Sequence, residues 1–279
     1  HWKRTRGKET DYMSIDNKFA VKKLQKLDGF YTVFSPLTRM PYVACDEETF
    51  DDQIYVFSSE ASCKEFVKTL NEQQIPAALL KIPQPQAAGF LTSLYSLDVN
   101  MVIFHDDAGD CGLAVDELVK KPDMETIRSA KIPIMNPQLT LTMIYFVQEL
   151  RRPIKQNMAR LHELEEEMVA NLVKAHFILG IETVNDEENT DPEKVNLKNI
   201  RIPFMKSKDG DIFQPIYSDF SEFRKYAGPK AKSMRMSNLT LKQLPQFLIK
   251  DSKGFVVNPA GVNLVLTVDQ LKRILKDYA

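Results

Sequence analysis

Among the side chains that could do chemistry, the densest group is His105-Asp106-Asp107-Ala108-Gly109-Asp110-Cys111, which gathers imidazole, carboxylate and thiol donors in one short stretch. These are donor types that a transition metal takes. An internal repeat places Asn258-Pro259-Ala260-Gly261 at the equivalent point, and that turn has no such donors. A solvated polar turn is therefore the simpler reading of the first stretch. His162-Glu163 opens like a zinc-protease helix motif, but position 166 holds Glu166 where a second His is required. Cys63 stands at the start of a predicted helix, where the helix N-terminus lowers a thiol pKa. With four His in the whole chain and none beside it in sequence, a half-buried structural Cys is the simpler reading. There is no GxGxxG, no phosphate-binding P-loop and no GxSxG, so no catalytic residue, metal or cofactor is expected.

The cations give a different signal. Arg39-Met40-Pro41-Tyr42-Val43 matches Arg201-Ile202-Pro203-Phe204-Met205, the same cation two residues before the same proline. An Arg stem can pack over apolar surface while its guanidinium ties a loop carbonyl. Alternatively, Arg39 and Arg201 are pseudo-equivalent anion or partner contacts near the interface of the copies. Arg224, Lys225, Lys230, Lys232 and Arg235 cluster around Tyr226, either as a solvated helix end or as a contact for an anion or acidic partner. His105, Asp106, Asn258 and Pro259 are the candidate turn or groove residues.

The elements that position these residues follow from the repeat. Laid on one another without a gap, Phe255-Val256-Val257 falls on Val102-Ile103-Phe104, and Val268-Asp269-Gln270-Leu271 on Val115-Asp116-Glu117-Leu118. Each copy reads as strand, tight turn, strand and helix. In the second turn Pro259 fixes one backbone angle, and Gly261 is expected to supply a positive one. Thr267 with Gln270 forms a capping box ahead of Leu271, Ile274 and Leu275 on one helical stripe. Ile54 to Phe57 runs into Ser58-Ser59, and Ile216-Tyr217 into Ser218-Asp219, both as strand-to-helix junctions, with Asp219 and Glu222 as a further capping box. Phe66 and Tyr226 lie equally far into the two helices.

Between these come a strand over Ala77 to Ile82 and a helix around Phe90, Leu94 and Leu97. Their counterparts are Lys232 to Met236 and a helix opened by Thr240 with Gln243. Asp16 to Leu27 reads as a helix leading the first copy. Two helices lead the second, one capped by Asn136 with Pro137 in its first position, the other beginning at Pro153. The expected fold is α/β or α+β, in two tandem related domains, residues 16–121 and 122–279. Each is a mixed sheet flanked by helices, with a helical segment over about 136–180 between the copies. The basic start HWKRTRGK is expected to fray, and the charged loop Asn185 to Val195 to be mobile.

Composition sets outer bounds. Across 279 residues, 43% hydrophobic content is enough for ordinary cores, and the length suits about two domains. Lys plus Arg is 37 against 38 for Asp plus Glu, which gives no electrostatic case for nucleic acid. No apolar run approaches a membrane span, so neither membrane insertion nor a signal peptide is expected. Cys45, Cys63 and Cys111 are odd in number and unrelated in spacing, which suits a reducing compartment. Cytoplasmic location is the expectation. A chain opening on His1 rather than Met is expected to have lost residues upstream.

Several of these segments together resemble the SseB family, the enhanced-serine-sensitivity proteins. They are the Asn136-Pro137 helix opening, the short strand near His176 to Ile181, Arg201-Ile202-Pro203-Phe204, Pro215 to Asp219, and Gly254 to Pro259. The resemblance covers about 136–279, with the first half similar to a divergent copy in which His105-Asp106-Asp107 replaces the family's Asn-Pro turn. It implies a cytoplasmic bacterial protein without agreed catalytic residues. The expected function is a non-enzymatic binding or regulatory role through contacts with another protein. The alternative is a small-molecule binder or enzyme with its site in a groove between the copies.

Overall fold

The computed structural model describes residues 13–123, 134–183 and 200–278. The basic start and the charged loop Asn185 to Val195 lie outside the described residues. Clustering of contacts separates two compact units, one of residues 1–34, 41–95 and 99–121, the other of 35–40, 96–98 and 122–279. The fold is α+β. Among the described residues no helix is long and apolar enough to cross a membrane.

The first unit opens with α1 (Met13–Lys26) and β1 (Gly29–Ser35), followed by two short strands, β2 (Met40–Pro41) and β3 (Ala44–Cys45). Then come β4 (Asp52–Phe57), α2 (Glu60–Glu72), β5 (Ala78–Pro83), α3 (Gln84–Ser93), a 3-10 turn at Leu94–Leu97, β6 (Met101–Asp106), β7 (Gly109–Ala114) and α4 (Val115–Leu118). In the sheet β5 pairs with β1, β1 with β4, β4 with β6 and β6 with β7. Of these four pairs only β4 with β6 is parallel. They are also the pair joined through helices, whereas the short turn between β6 and β7 permits only an antiparallel pair.

The second unit contains α5 (Pro137–Leu150), α6 (Met158–Lys174), β8 (His176–Thr183), β9 (Ile200–Arg201), β10 (Met205–Lys206), β11 (Ile212–Ile216) and α7 (Phe220–Ala227). A 3-10 turn at Gly228–Lys232, β12 (Arg235–Thr240), a 3-10 turn at Leu244–Phe247, β13 (Ser252–Val257), β14 (Leu264–Thr267) and α8 (Val268–Tyr278) complete it. β12 pairs antiparallel with β8, β11 parallel with β13, and β13 antiparallel with β14. A two-bond bridge joins the halves: the Ile178 amide donates to the Tyr217 carbonyl at 2.8 Å, and the Tyr217 amide to the Ile178 carbonyl at 3.0 Å. The order β12, β8, β11, β13, β14 therefore repeats β5, β1, β4, β6, β7, strand direction included.

Packing between sheet and helix differs in an instructive way. In the first unit Val33 on β1 and Cys63 on α2 lie in one core cluster, both fully buried. In the second unit the sheet carries Gly180 and the helix carries Phe223. A methyl group at Gly180 would lie 2.6 Å from the Met234 methyl and 3.0 Å from the Phe223 ring. Large against small is kept, with the partners exchanged.

Several local expectations are corrected. The helix expected from Pro153 begins at Met158, where the Asn157 carboxamide accepts from the Arg160 amide at 3.2 Å. The Gln156 side chain instead donates to the Leu150 carbonyl, closing α5. The strand expected over Lys232 to Met236 runs over Arg235–Thr240. The helix expected after Thr240 is a single 3-10 turn, because the buried Gln214 side chain captures the Phe247 carbonyl at 2.7 Å and the Ile249 amide at 2.9 Å. In the turn after β13 the positive φ values fall at Asn258 (51°) and Asn263 (50°), not at Gly261.

Candidate functional site

The parallel pair β11 and β13 delivers Ser218 and Asn258 to adjacent strand ends, and the side chains there form a buried polar network. The Ser218 amide donates to the Asn258 Oδ1 at 2.9 Å, and the Asn258 amide group donates to the Ser218 hydroxyl at 2.8 Å. That hydroxyl donates to Asp219 Oδ2 at 2.8 Å, while Asp219 Oδ1 accepts from the Glu222 amide at 3.0 Å as the N-cap of α7. Asn136 completes the set by donating to the carbonyls of Ser218 at 2.6 Å and His176 at 2.7 Å. Its side chain makes no cap bond to α5, contrary to the sequence expectation, although it occupies the N-cap position. Each neutral bond of this kind contributes roughly 1 kcal/mol, and those to a carboxylate more.

Glu222 does not close the capping box expected from its spacing. Its carboxylate turns inward and accepts from Lys225 through one oxygen, while the buried Oε2 has no hydrogen-bond partner. A methyl group at Gly261 would lie 2.7 Å from Oε2, so glycine there provides space for a carboxylate and not a backbone angle. Burial pushes the Glu222 carboxyl above its ordinary range despite the Lys225 ammonium, and the Asp219 charge adds to the effect. Both Asp219 oxygens are engaged and the remaining Glu222 oxygen is sealed. The network presents no group to a substrate; it clamps the strand ends to the start of α7.

In the first unit the corresponding strand ends carry Ser58 and His105, and the Ser58 amide donates to the His105 carbonyl at 3.0 Å. The His105 ring stacks on Phe57, with centroids 4.5 Å apart at 8°, and Tyr55 and Phe66 flank it. Its Nδ1 bonds to Asp110, and its Nε2 is buried without a partner. Asp106 pairs with Lys23 at 2.8 Å and accepts from the Ala108 amide. Burial pushes the Asp106 pKa up, but Lys23 and the amides of Ala108 and Gly109 outweigh it and hold the carboxyl below its ordinary range. Cys111 bonds to Asn17 at 3.1 Å. Asp110, Asp106 and Cys111 are thus each engaged with a different partner. Among the described residues no group of three or more His, Cys, Asp and Glu is placed to hold a metal ion. Burial, with the charge of Glu60, pushes the Cys63 thiol up to about 12, the opposite of activation. His162 pairs along its own helix with Glu166.

The two repeated arginines sit differently. Arg39, at φ 56°, donates to the carbonyl of Pro259 at 3.1 Å, so it ties a loop. Arg201 is exposed on β9, paired in register with Glu182. The basic cluster lies on α7 and the turn after it, except for Arg235, which opens β12. Arg224 is over the Phe220 ring at 5.9 Å, Lys225 is paired with Glu222, and Lys230 and Lys232 are exposed. Phe220 and Tyr226 are 44% and 40% exposed, so this basic surface also carries aromatic rings. Over 220–235 the only acid is Glu222, which is buried.

Sequence reading missed Gln214, Arg151 and the inward turn of Glu222. Only the last left a trace, a Lys three residues after an acid on a short helix. No family model matches the chain, and no curated protein matches it. Among solved structures, Tic22 from Plasmodium falciparum aligns over 92% of this chain and 96% of its own, at 12% identity and a TM-score of 0.23. Anabaena Tic22, described as protein transport, aligns over 93% and 96%, at 12% identity and a TM-score of 0.21. Alignments at these TM-scores carry no argument about this chain.

Proposed function

We propose that this chain is a tandem α+β binding module that acts through contacts with another protein and has no catalytic step of its own. The observation that carries this reading is the α7 face. Among the described residues Arg224, Lys230 and Lys232 have no carboxylate partner, and Phe220 and Tyr226 stand exposed beside them. Cations interleaved with exposed aromatic rings suit an acidic protein segment, with charge steering the encounter and the rings supplying contact area. The engaged state of Asp106 and Asp219, whose carboxylates are held by Lys23, a hydroxyl and backbone amides, supports a binding role over catalysis. The repeated strand order supports descent of both units from one domain, over 16–121 and 122–279. The SseB-family resemblance belongs to the same proposal.

The test is fluorescence anisotropy with a labelled oligoglutamate peptide carrying one aromatic residue, read against salt. Wild type is expected to bind, more weakly as salt rises, and the double variant Lys230→Glu with Lys232→Glu to lose about tenfold in affinity. Absence of binding, or binding that the reversal leaves unchanged, would overturn the reading.

A further inference from the structure

We propose that the second unit also holds a binding site for a small carboxylate anion, in a cleft lined by Ile134, Met135, Asn136, Lys174, His176 and Asn238. This site is separate from the α7 face and does not depend on it. The cleft has a volume of about 340 Å³, at the lower end of what small-molecule sites occupy.

Its polar groups come from four elements. Asn136 precedes α5, Lys174 ends α6, His176 begins β8 and Asn238 lies on β12. Register places Asn238 opposite Ile178 and Thr240 opposite His176, so Asn238 and His176 are diagonal neighbours on one face of the sheet. The His176 Nδ1 bonds to Asn238 Oδ1 at 2.9 Å, which fixes the ring. The backbone beneath is fixed as well: Asn136 donates to the His176 carbonyl and accepts from the His176 amide at 3.3 Å. The frame is therefore built before a ligand arrives, which reduces the ordering cost of binding.

Asn136 has spent both donors, on His176 and Ser218, and forms a wall. Two groups retain donors for an anion: the Lys174 ammonium, which has no carboxylate partner among the described residues, and the Asn238 amide group; His176 orients Asn238, since its Nδ1–H is donated to the Asn238 Oδ1 and the second nitrogen of a neutral ring is an acceptor. A lysine in the last turn of a helix is accounted for by the helix dipole alone. The dipole does not account for a histidine and a carboxamide meeting that lysine in one cleft whose described lining residues include no acid. One full cation with neutral donors matches a singly charged carboxylate. Phosphate binds lysine as well, but arginine forks or free helix amides favour it over a carboxylate, and the described residues of this lining include no arginine. Met135 gives the apolar side against which a short hydrocarbon body would lie, while Ile134 packs into the core behind it.

The experiment is an NMR titration of the whole chain at constant ionic strength, following the His176 ring and Asn238 carboxamide signals, with butyrate and inorganic phosphate as probes. Butyrate is expected to shift both sets saturably and more tightly than phosphate. Lys174→Gln should weaken butyrate about tenfold, while the control Lys250→Gln, at an exposed lysine outside the lining, leaves it unchanged. Asn238→Leu should also weaken it. Absence of saturable shifts, equal response to phosphate, or indifference to Lys174→Gln would each overturn the proposal. The α7 charge reversals should not alter butyrate binding, so the two readings fail separately.

Discussion

Burial holds the Glu222 carboxyl above its ordinary value of 4.5, against the pull of Lys225. The folded protein thus binds this proton more tightly than the unfolded chain does. Stability from this group is fully present below the ordinary value and is lost as pH rises through the folded one. Glu222→Gln keeps the shape and removes the titration. In urea denaturation the stability of wild type relative to Glu222→Gln is therefore expected to fall as pH climbs from about 4.5 towards neutrality. A constant difference across that range would show that Glu222 stays ionised in the folded state. The neighbouring Gly261 is tied to the same carboxylate by space, so Gly261→Ala should cost about 1–3 kcal/mol by displacing a side chain that Lys225 holds.

Between elements, the exchange of Val33 and Cys63 for Gly180 and Phe223 states a rule about how a helix sits on its sheet. The two pairs have similar total volume, whichever partner supplies it, and a close-packed interior is sensitive to that total. Gly180→Val alone should cost about 1–3 kcal/mol through collision with Phe223 and Met234. Adding Phe223→Cys reproduces the arrangement of the first unit and is expected to recover part of that loss. A double-mutant cycle measured by urea unfolding reads the coupling. Simple additivity would mean that other contacts set the spacing of α7 on β8.

At the scale of the whole molecule, the second compact unit includes Ser35–Met40 together with 122–279. Arg151 explains part of this inclusion. Its guanidinium donates to the carbonyls of Leu37 at 2.7 Å, Val262 at 2.9 Å and Asn263 at 2.9 Å. Burial and the charge of Arg39 lower its pKa, so these acceptors compensate a desolvated cation. A fragment of residues 122–279 lacks both Leu37 and Arg39. It is expected to fold, with mixed helix and strand circular dichroism, but to unfold about 1–3 kcal/mol sooner in urea than the same unit in the full chain. Equal stability would show that Ser35–Met40 contributes nothing, and a molten fragment would show that the second unit cannot stand without the rest.

The sequence by itself determined the α+β class, the alternation of strands and helices, and the capping box in which Thr267 and Gln270 bond reciprocally. All of these rest on residues within one helical turn or on strand periodicity, so the information is local. Tertiary structure alone decided that Asn136 clamps Ser218 and His176, that Gln214 stops a helix after Phe247, that Gly261 makes room for Glu222, and that Arg39 ties Pro259. It also decided that His105 stacks on Phe57 and bonds to Asp110. Each of these side chains is polar or small and finds its partner far along the chain. Local spacing shows which groups a side chain could engage, but the choice among them is made by burial, where a polar group must take whichever partner the packed elements bring within reach.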